Sequence, residues 1–298
     1  TKLQKWIKDK NITLADLKTR GFTLATDISQ IIMVTTPNSL KHLKFVGGLS
    51  EKNICKWVEN VTDTFGVVKW DKSTRFFHGD MVQSSYQLLN TLGLDKVQAE
   101  ELLKPSFDYI SLVRNDVEFM RYHFTDAYVR EKDGEEKKAP DGLADRADVI
   151  FRLLFSCTHF NTTALYANFR DDVVSGLKSS LRRGHILLSG TNATLFGNGP
   201  ELLKYIAGEK ITSELKKGQI YCKRFESGAK LLCARSPHIT MGNLYCVENN
   251  LSGEIWNYFN LGKNIVCVNA IGENIQQRLN GCDYDSDAML ITDDKLLV

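Results

Sequence analysis

The spacing of apolar residues changes period along the chain, and the change divides it. Residues 1–20 carry Trp6, Ile7, Ile12, Leu14 and Leu17 at helical intervals, which predicts one amphipathic helix or two short ones. Thr13 followed by Asp16 resembles a capping arrangement, and Gly21 stops the run. Phe22–Thr26 and Ile31–Thr36 are β-rich and predict strands, broken by Pro37-Asn38. Ile54, Trp57, Val58 and Val61 predict a helix over 50–64, and Phe65–Trp70 a short strand. From Met81 to about Phe124 the spacing is helical, through Tyr86, Leu88, Leu89, Leu92, Leu102 and Leu103. Pro105 restarts the pattern, which resumes with Tyr109, Ile110, Val113, Val117, Phe119 and Met120. Residues 130–146 hold almost nothing to bury and predict an exposed loop or hairpin tip. A long helical region is expected from about Ala144 to Leu181, closed by Gly184.

After Gly184 the period shortens. His185–Thr191, Asn192–Gly197, Gln219–Phe225, Ala229–Arg235, Asn243–Val247 and Asn264–Val268 are strand-like, separated by turns bearing Gly or Asn. One short helix is expected near Pro200–Ile206. Six or seven short strands that end at an acidic turn predict a small closed barrel. The fold class is therefore α+β, a mainly helical N-terminal and middle region followed by a β-barrel. The expected domains are 1–76 (mixed α/β), 77–183 (helical connector) and 184–298 (barrel). There is no internal repeat.

Composition narrows the picture only slightly. A chain of 298 residues can bury a large core and suits one to three domains. A net charge of +2 is too small to argue for nucleic acid by itself. Seven cysteines form no CxxC pair and mostly sit in apolar runs, as reduced, buried thiols of a cytosolic protein would. No signal peptide and no membrane-spanning apolar run is present. The sequence starts at Thr1 without a Met and stops soon after the acidic motif, and it reads as a fragment of something longer.

The candidate chemistry lies in that motif, Asn280-Gly-Cys-Asp283-Tyr-Asp285-Ser-Asp287, followed by the apolar Ala288–Ile291. Three aspartates on alternate residues share one face in a strand, or wrap a single ion in a turn. Like charges that close need a cation or a proton. Oxygen-only ligands select a hard cation such as Mg²⁺ or Ca²⁺. The rival readings are an acidic surface turn without an ion and a calcium loop of the EF-hand kind. Counted from Asp283, that loop needs Gly sixth and Glu twelfth, where this chain has Ala288 and Asp294. Elsewhere, Lys41 and Lys44 fit either phosphate contacts or a solvated basic edge. His238 reads as a turn residue, and Lys223-Arg224 as barrel-rim charge.

Ser189-Gly190…Ala193-Thr-Leu-Phe-Gly197, then Arg235-Ser-Pro-His238…Gly242-Asn243, then the aspartate triplet, occur in an order that resembles a known family. The stretch 183–293 is similar to the catalytic double-psi β-barrel of RNA polymerases. That barrel occurs in the largest subunit of the cellular enzymes. It occurs also in single-chain relatives, which include the RNA-dependent RNA polymerases of RNA silencing and their bacterial and phage homologues. Thr35–Lys41 with Lys44-Phe45 looks like the tail of the family's first barrel, most of it missing before Thr1, so that 1–76 would be its remnant. This chain departs from the family at Ser286 (usually Gly), at Gly281 (often Asn in the cellular enzymes) and at Asn243 (commonly Asp after Gly in the single-chain relatives).

The resemblance implies template-directed RNA synthesis by a nucleotidyltransferase. Its catalytic and metal-holding residues would be Asp283, Asp285 and Asp287. The cofactor would be Mg²⁺, with Mn²⁺ as a substitute, in the two-ion chemistry of phosphoryl transfer. Arg235, from the Arg-x-Pro segment, would contact the nucleotide sugar or the primer end, or else serve as a structural partner of a barrel carboxylate. Lys41 and Lys44 would be weaker triphosphate contacts. The implied partners are a nucleic-acid template, an RNA product and nucleoside triphosphates, with no membrane, and the location cytoplasmic. DNA and RNA templates stay open, as do an inactive nucleic-acid-binding relative and a calcium-binding module. The isolated fragment is not expected to be active.

Overall fold

The computed structural model describes residues 1–61, 76–132, 146–238 and 240–298. The strand expected at Phe65–Trp70 and most of the loop expected at 130–146 lie outside them.

The chain opens with two helices, α1 (Lys2–Asp9) and α2 (Leu14–Arg20). Thr13 and Asp16 form the expected reciprocal cap: Thr13 Oγ1 accepts from the Asp16 N–H at 3.2 Å, and Asp16 Oδ2 accepts from the Thr13 N–H at 2.8 Å. Helix α3 (Glu51–Asn60) follows, capped by Ser50. The two strands expected between α2 and α3 do not form; residues 22–26 and 31–36 are irregular, with a 3-10 turn at Ile28–Gln30 between them. Strand propensity is expressed only against a partner ladder. Here Gln4 Nε2 donates to the Ile28 and Ile31 carbonyls at 3.0 and 2.6 Å, taking acceptors that a ladder would use. Ile32 and Met33 are left mostly exposed.

The stretch expected to be helical from Met81 onward begins instead with a strand, β1 (Met81–Gln83), which pairs antiparallel with β2 (Leu187–Phe196). Helices α4 (Tyr86–Thr91), α5 (Lys96–Asn115) and α6 (Val117–Lys132) complete it. Pro105 does not interrupt α5. Leu102, Ser106, Tyr109, Ile110 and Val113 are buried on either side of it, and that packing offsets the one hydrogen bond and the clash the ring brings, about 3 kcal/mol. The single long helix expected before Gly184 is two, α7 (Arg146–Ser156) and α8 (Ala164–Arg182). Thr163 separates them by capping α8, its hydroxyl oxygen accepting from the Tyr166 N–H at 3.2 Å.

Beyond β2 come α9 (Gly199–Ala207), β3 (Gln219–Cys222), β4 (Lys230–Ala234) and β5 (Leu244–Asn249). Then follow α10 (Gly253–Tyr258), β6 (Ile265–Val268), α11 (Ile275–Arg278) and β7 (Ala288–Thr292). Sequence spacing anticipates α9 and the strands but not α10 or α11. The strands lie in the order β1-β2-β6-β3-β5-β4-β7, and β2 also pairs with β7, so six of them close into a mixed barrel. The α+β class with a C-terminal barrel therefore stands.

By compactness the chain forms two units. The first comprises Thr1–Lys72, Leu195–Gly228 and Glu248–Ile275. Trp6, Ile7 and Leu17 of α1 and α2 pack there on Leu203 and Ile206 of α9. Fully buried Asn249 ties its strands together: Nδ2 donates to the carbonyls of Cys222, Phe225 and Glu226, and Oδ1 accepts from the Cys222 N–H. Cys222 and Cys267 are buried in this unit, and Cys233 and Cys282 in the other. Cys157 and Cys246 are exposed and Cys55 is half-buried, so four of the seven are the buried thiols expected.

The second unit comprises Ser73–Thr194, Ala229–Val247 and Gln276–Val298. Its helical core gathers Tyr109, Val113, Met120, Ile150, Leu154 and Phe169. Tyr109 is fixed by a 2.8 Å hydrogen bond between its hydroxyl and His123 Nδ1, and by edge contacts with Phe76, Phe77 and Phe119. A second core, with Val82, Leu88, Leu102, Leu188, Leu232 and Leu290, seats α4 and α5 on one face of β2, β4 and β7. Strand β2 changes partner at Gly190, pairing with β1 up to Ser189 and with β7 from Gly190 to Thr194. Gly190 has φ +149°, and a Cβ there would lie 2.1 Å from the Ile291 carbonyl oxygen. Only glycine permits that approach. Gly190→Ala is expected to cost about 3 kcal/mol of stability, read as a lowered urea midpoint.

Candidate metal centre

The acidic motif is a turn, not a strand, and its flanks explain its shape. Helix α11 ends at Arg278, and the Gly281 and Cys282 N–H groups close back on the Gln276 carbonyl at 2.7 and 3.2 Å. Asn280 and Gly281 adopt left-handed φ values of 55° and 69°. Buried Ile275, Leu279 and Cys282 anchor this side of the loop, and Met289 of β7 anchors the other. Burial holds the Cys282 thiol above its ordinary pKa, so it packs as a neutral group rather than offering a thiolate. A short helix before the loop and a strand after it exclude the helix–loop–helix of an EF-hand.

Within the loop, one carboxylate oxygen from each of Asp283, Asp285 and Asp287 lies within 4.8 Å of the others. The turn is held from inside: the Asp285 N–H donates to Asp283 Oδ1, and the Asp283 N–H donates to Asp287 Oδ2, both at 3.0 Å. Asp287 is the half-buried member, and Arg235 reaches it, Nη2 to Oδ2, at 2.6 Å. The other amino nitrogen of Arg235 donates to the Leu279 and Asn280 carbonyls at 3.0 and 2.9 Å. One planar guanidinium thus staples both ends of the loop, which a lysine could not do with the same geometry. Asp283 and Asp285 remain at the surface. Three carboxylates at this spacing are the donor set that a hard divalent cation takes.

Sequence reasoning singles out the three aspartates and Arg235, and the structure brings all four together. Lys41 and Lys44 are exposed on a 3-10 turn, Lys41–Phe45, in the first unit, whereas the triad and Arg235 are in the second. Asn243, visible in the sequence only as a departure from Gly-Asp, turns out to hold the loop. Its Nδ2 donates to the Arg278 carbonyl at 2.9 Å, and its Oδ1 accepts from the Thr240 N–H. An aspartate has no N–H to give that carbonyl, so the amide suits this chain's own loop. The Arg278 guanidinium in turn stacks over Tyr245, 4.6 Å from the ring centre. Ser286 has φ +97°, a conformation that disfavours any side chain.

Two stability measurements check this account. Ser286→Gly is expected to relieve about 1 kcal/mol of backbone strain and raise the melting temperature by about 2 °C. Arg235→Gln is expected to lower stability by about 2 kcal/mol in denaturant titration, because it leaves Asp287 half-buried and unpaired.

No family model matches this chain, and no curated protein does. Among solved structures, the chain is similar to the RNA-dependent RNA polymerase QDE-1 from Thielavia terrestris, with a TM-score of 0.50 and 15% sequence identity. The match covers 74% of this chain and 25% of that one, so the chain spans about a quarter of that polymerase's length. At this identity the likeness is one of fold. The chain shares its fold with part of that polymerase.

Proposed function

We propose that this chain is the catalytic part of a template-directed RNA polymerase, a nucleotidyltransferase. The observation that carries this reading is the triad itself: three carboxylates within 4.8 Å on a stapled turn beside a closed barrel, and the chain's likeness in fold to part of an RNA polymerase supports it. In this proposal 184–298 is the catalytic barrel, 77–183 the helical connector and 1–76 the remnant of a first barrel with its connector.

Asp283, Asp285 and Asp287 would hold Mg²⁺, or Mn²⁺ in its place. When bound, such an ion supplies Lewis-acid activation of a hydroxyl and neutralises charge on a phosphate. The chain's own contribution is to hold the carboxylates close before the ion arrives. Arg235 does this for Asp287, and the two backbone N–H groups do it for Asp283 and Asp287. With its amino groups committed to the loop, Arg235 acts first as a positioning residue; contact with the nucleotide sugar or primer end is its further proposed role. Lys41 and Lys44 are proposed as triphosphate contacts. The partners are a nucleic-acid template, RNA product and nucleoside triphosphates, and the proposed location is cytoplasmic. Among the described residues no helix is long and apolar enough to cross a membrane.

The test is nucleotide incorporation by the complete protein on matched RNA and DNA templates with Mg²⁺. Asp285→Asn is expected to reduce incorporation by more than about a thousandfold without lowering the melting temperature, since its side chain is exposed and one of three like charges is removed. Activity that survives this change overturns the assignment. The reading also predicts that Mn²⁺ added to the chain broadens the amide resonances of residues 283–287 first, and that Asp285→Asn weakens the effect.

A further inference from the structure

On the face of β2, β4 and β7 that α4 and α5 cover, Leu88 of α4 borders an open space. It is a cavity of about 440 Å³, within the range of roughly 300–1,000 Å³ common for small-molecule sites. Asn192, Ala234, Ala288 and Leu290 lie on this face, in register: Asn192 and Ala234 both pair with Leu290. Ser236, His238 and His185 complete the rim that matters here. Two of these segments are the ones that build the metal centre. Ala288 directly follows Asp287. Ala234, Ser236 and His238 line the cavity, while the residue between the first two, Arg235, is committed to the aspartate loop. The cavity therefore sits behind the centre rather than being part of it.

Its lining states what it can hold. No carboxylate, lysine or arginine is among the described lining residues, so neither a phosphate nor an ammonium group has a counter-charge there. Leu88 and Leu290 supply apolar surface for a flat ring. The Asn192 side chain is exposed and offers a donor and an acceptor together. His238 Nδ1 is sealed from water and has no hydrogen-bond partner, so no bond fixes the ring and one is there to be gained by turning it. Burial keeps that imidazole neutral, able to donate at one nitrogen and accept at the other.

We propose that this cavity binds one unstacked nucleobase, from a free nucleoside or from single-stranded RNA, with Asn192 and His238 reading its edge. The choice of a nucleobase over other uncharged heterocycles rests on the polymerase reading above. The site would place a base behind the loop that Arg235 staples.

The test is binding of adenosine, guanosine, cytidine and uridine to this chain, by ligand-observed NMR and calorimetry, in EDTA. A short single-stranded RNA forms a second arm that tells a polymer's base from a free nucleoside. Binding of at least one nucleoside is expected without metal, and unchanged in Asp285→Asn. Asn192→Ser and His238→Phe are each expected to weaken it about tenfold, the loss of one hydrogen bond. Asn192 is exposed, so that variant keeps the test alive if His238→Phe does not fold. No binding at millimolar nucleoside, binding indifferent to both cavity variants, or binding lost in Asp285→Asn would each overturn the proposal. If nucleosides bind as expected and the complete protein incorporates no nucleotide, the polymerase reading fails and the cavity stands.

Discussion

Mutual repulsion among three carboxylates is the constraint around which the second unit is arranged. At separations near 4.8 Å each pair costs roughly 1 kcal/mol in bulk water and several times that where water is partly excluded. A free turn would relieve this by opening. Here it cannot, because Arg235 is bonded at once to Asp287 and to the carbonyls before the loop, and because the loop's own N–H groups are turned onto its side chains. Arg235 in turn sits at the end of β4, which pairs with β7 through Leu232–Ala234. The barrel's hydrogen bonds thus set the separation of the charges.

Two residues at which the chain departs from the pattern it resembles have a role in this arrangement. Asn243 acts on the backbone of the loop's N-terminal approach, through the Arg278 carbonyl. Ser286 accepts a backbone angle suited to glycine. These residues shape the loop without touching the spacing of its acids, which is the quantity on which cation binding depends.

Much of this was legible in the sequence, for identifiable reasons. The acids and the late strands announce themselves because alternation, turn residues and like-charge crowding are local signals, whereas Arg235 stands out only through the resemblance of its Arg-x-Pro segment. The capping pair Thr13 and Asp16 is local too. What was not legible depends on distant partners. Met81–Gln83 looks helical by spacing, yet becomes a strand because residues 187–189 lie beside it. Ile31–Thr36 looks like a strand, yet Gln4 takes its neighbours' carbonyls. Pro105 looks like a break, yet burial on both sides carries the helix through. The staple on Asp287 spans 52 residues, and no local pattern announces a contact of that length.

The partner exchange of β2 at Gly190 has a consequence for how the protein is made. The bonds that close β2 onto β7 join residues about a hundred positions apart, as between Thr292 and Ser189. Contacts that distant form late, because the intervening chain must first be confined. The aspartate loop lies directly before β7, so its staple to Arg235 at the end of β4 forms only once β7 has left the ribosome and paired. During that interval the protein would carry a folded helical core and unpaired strand edges, the state in which a chaperone is most useful to it.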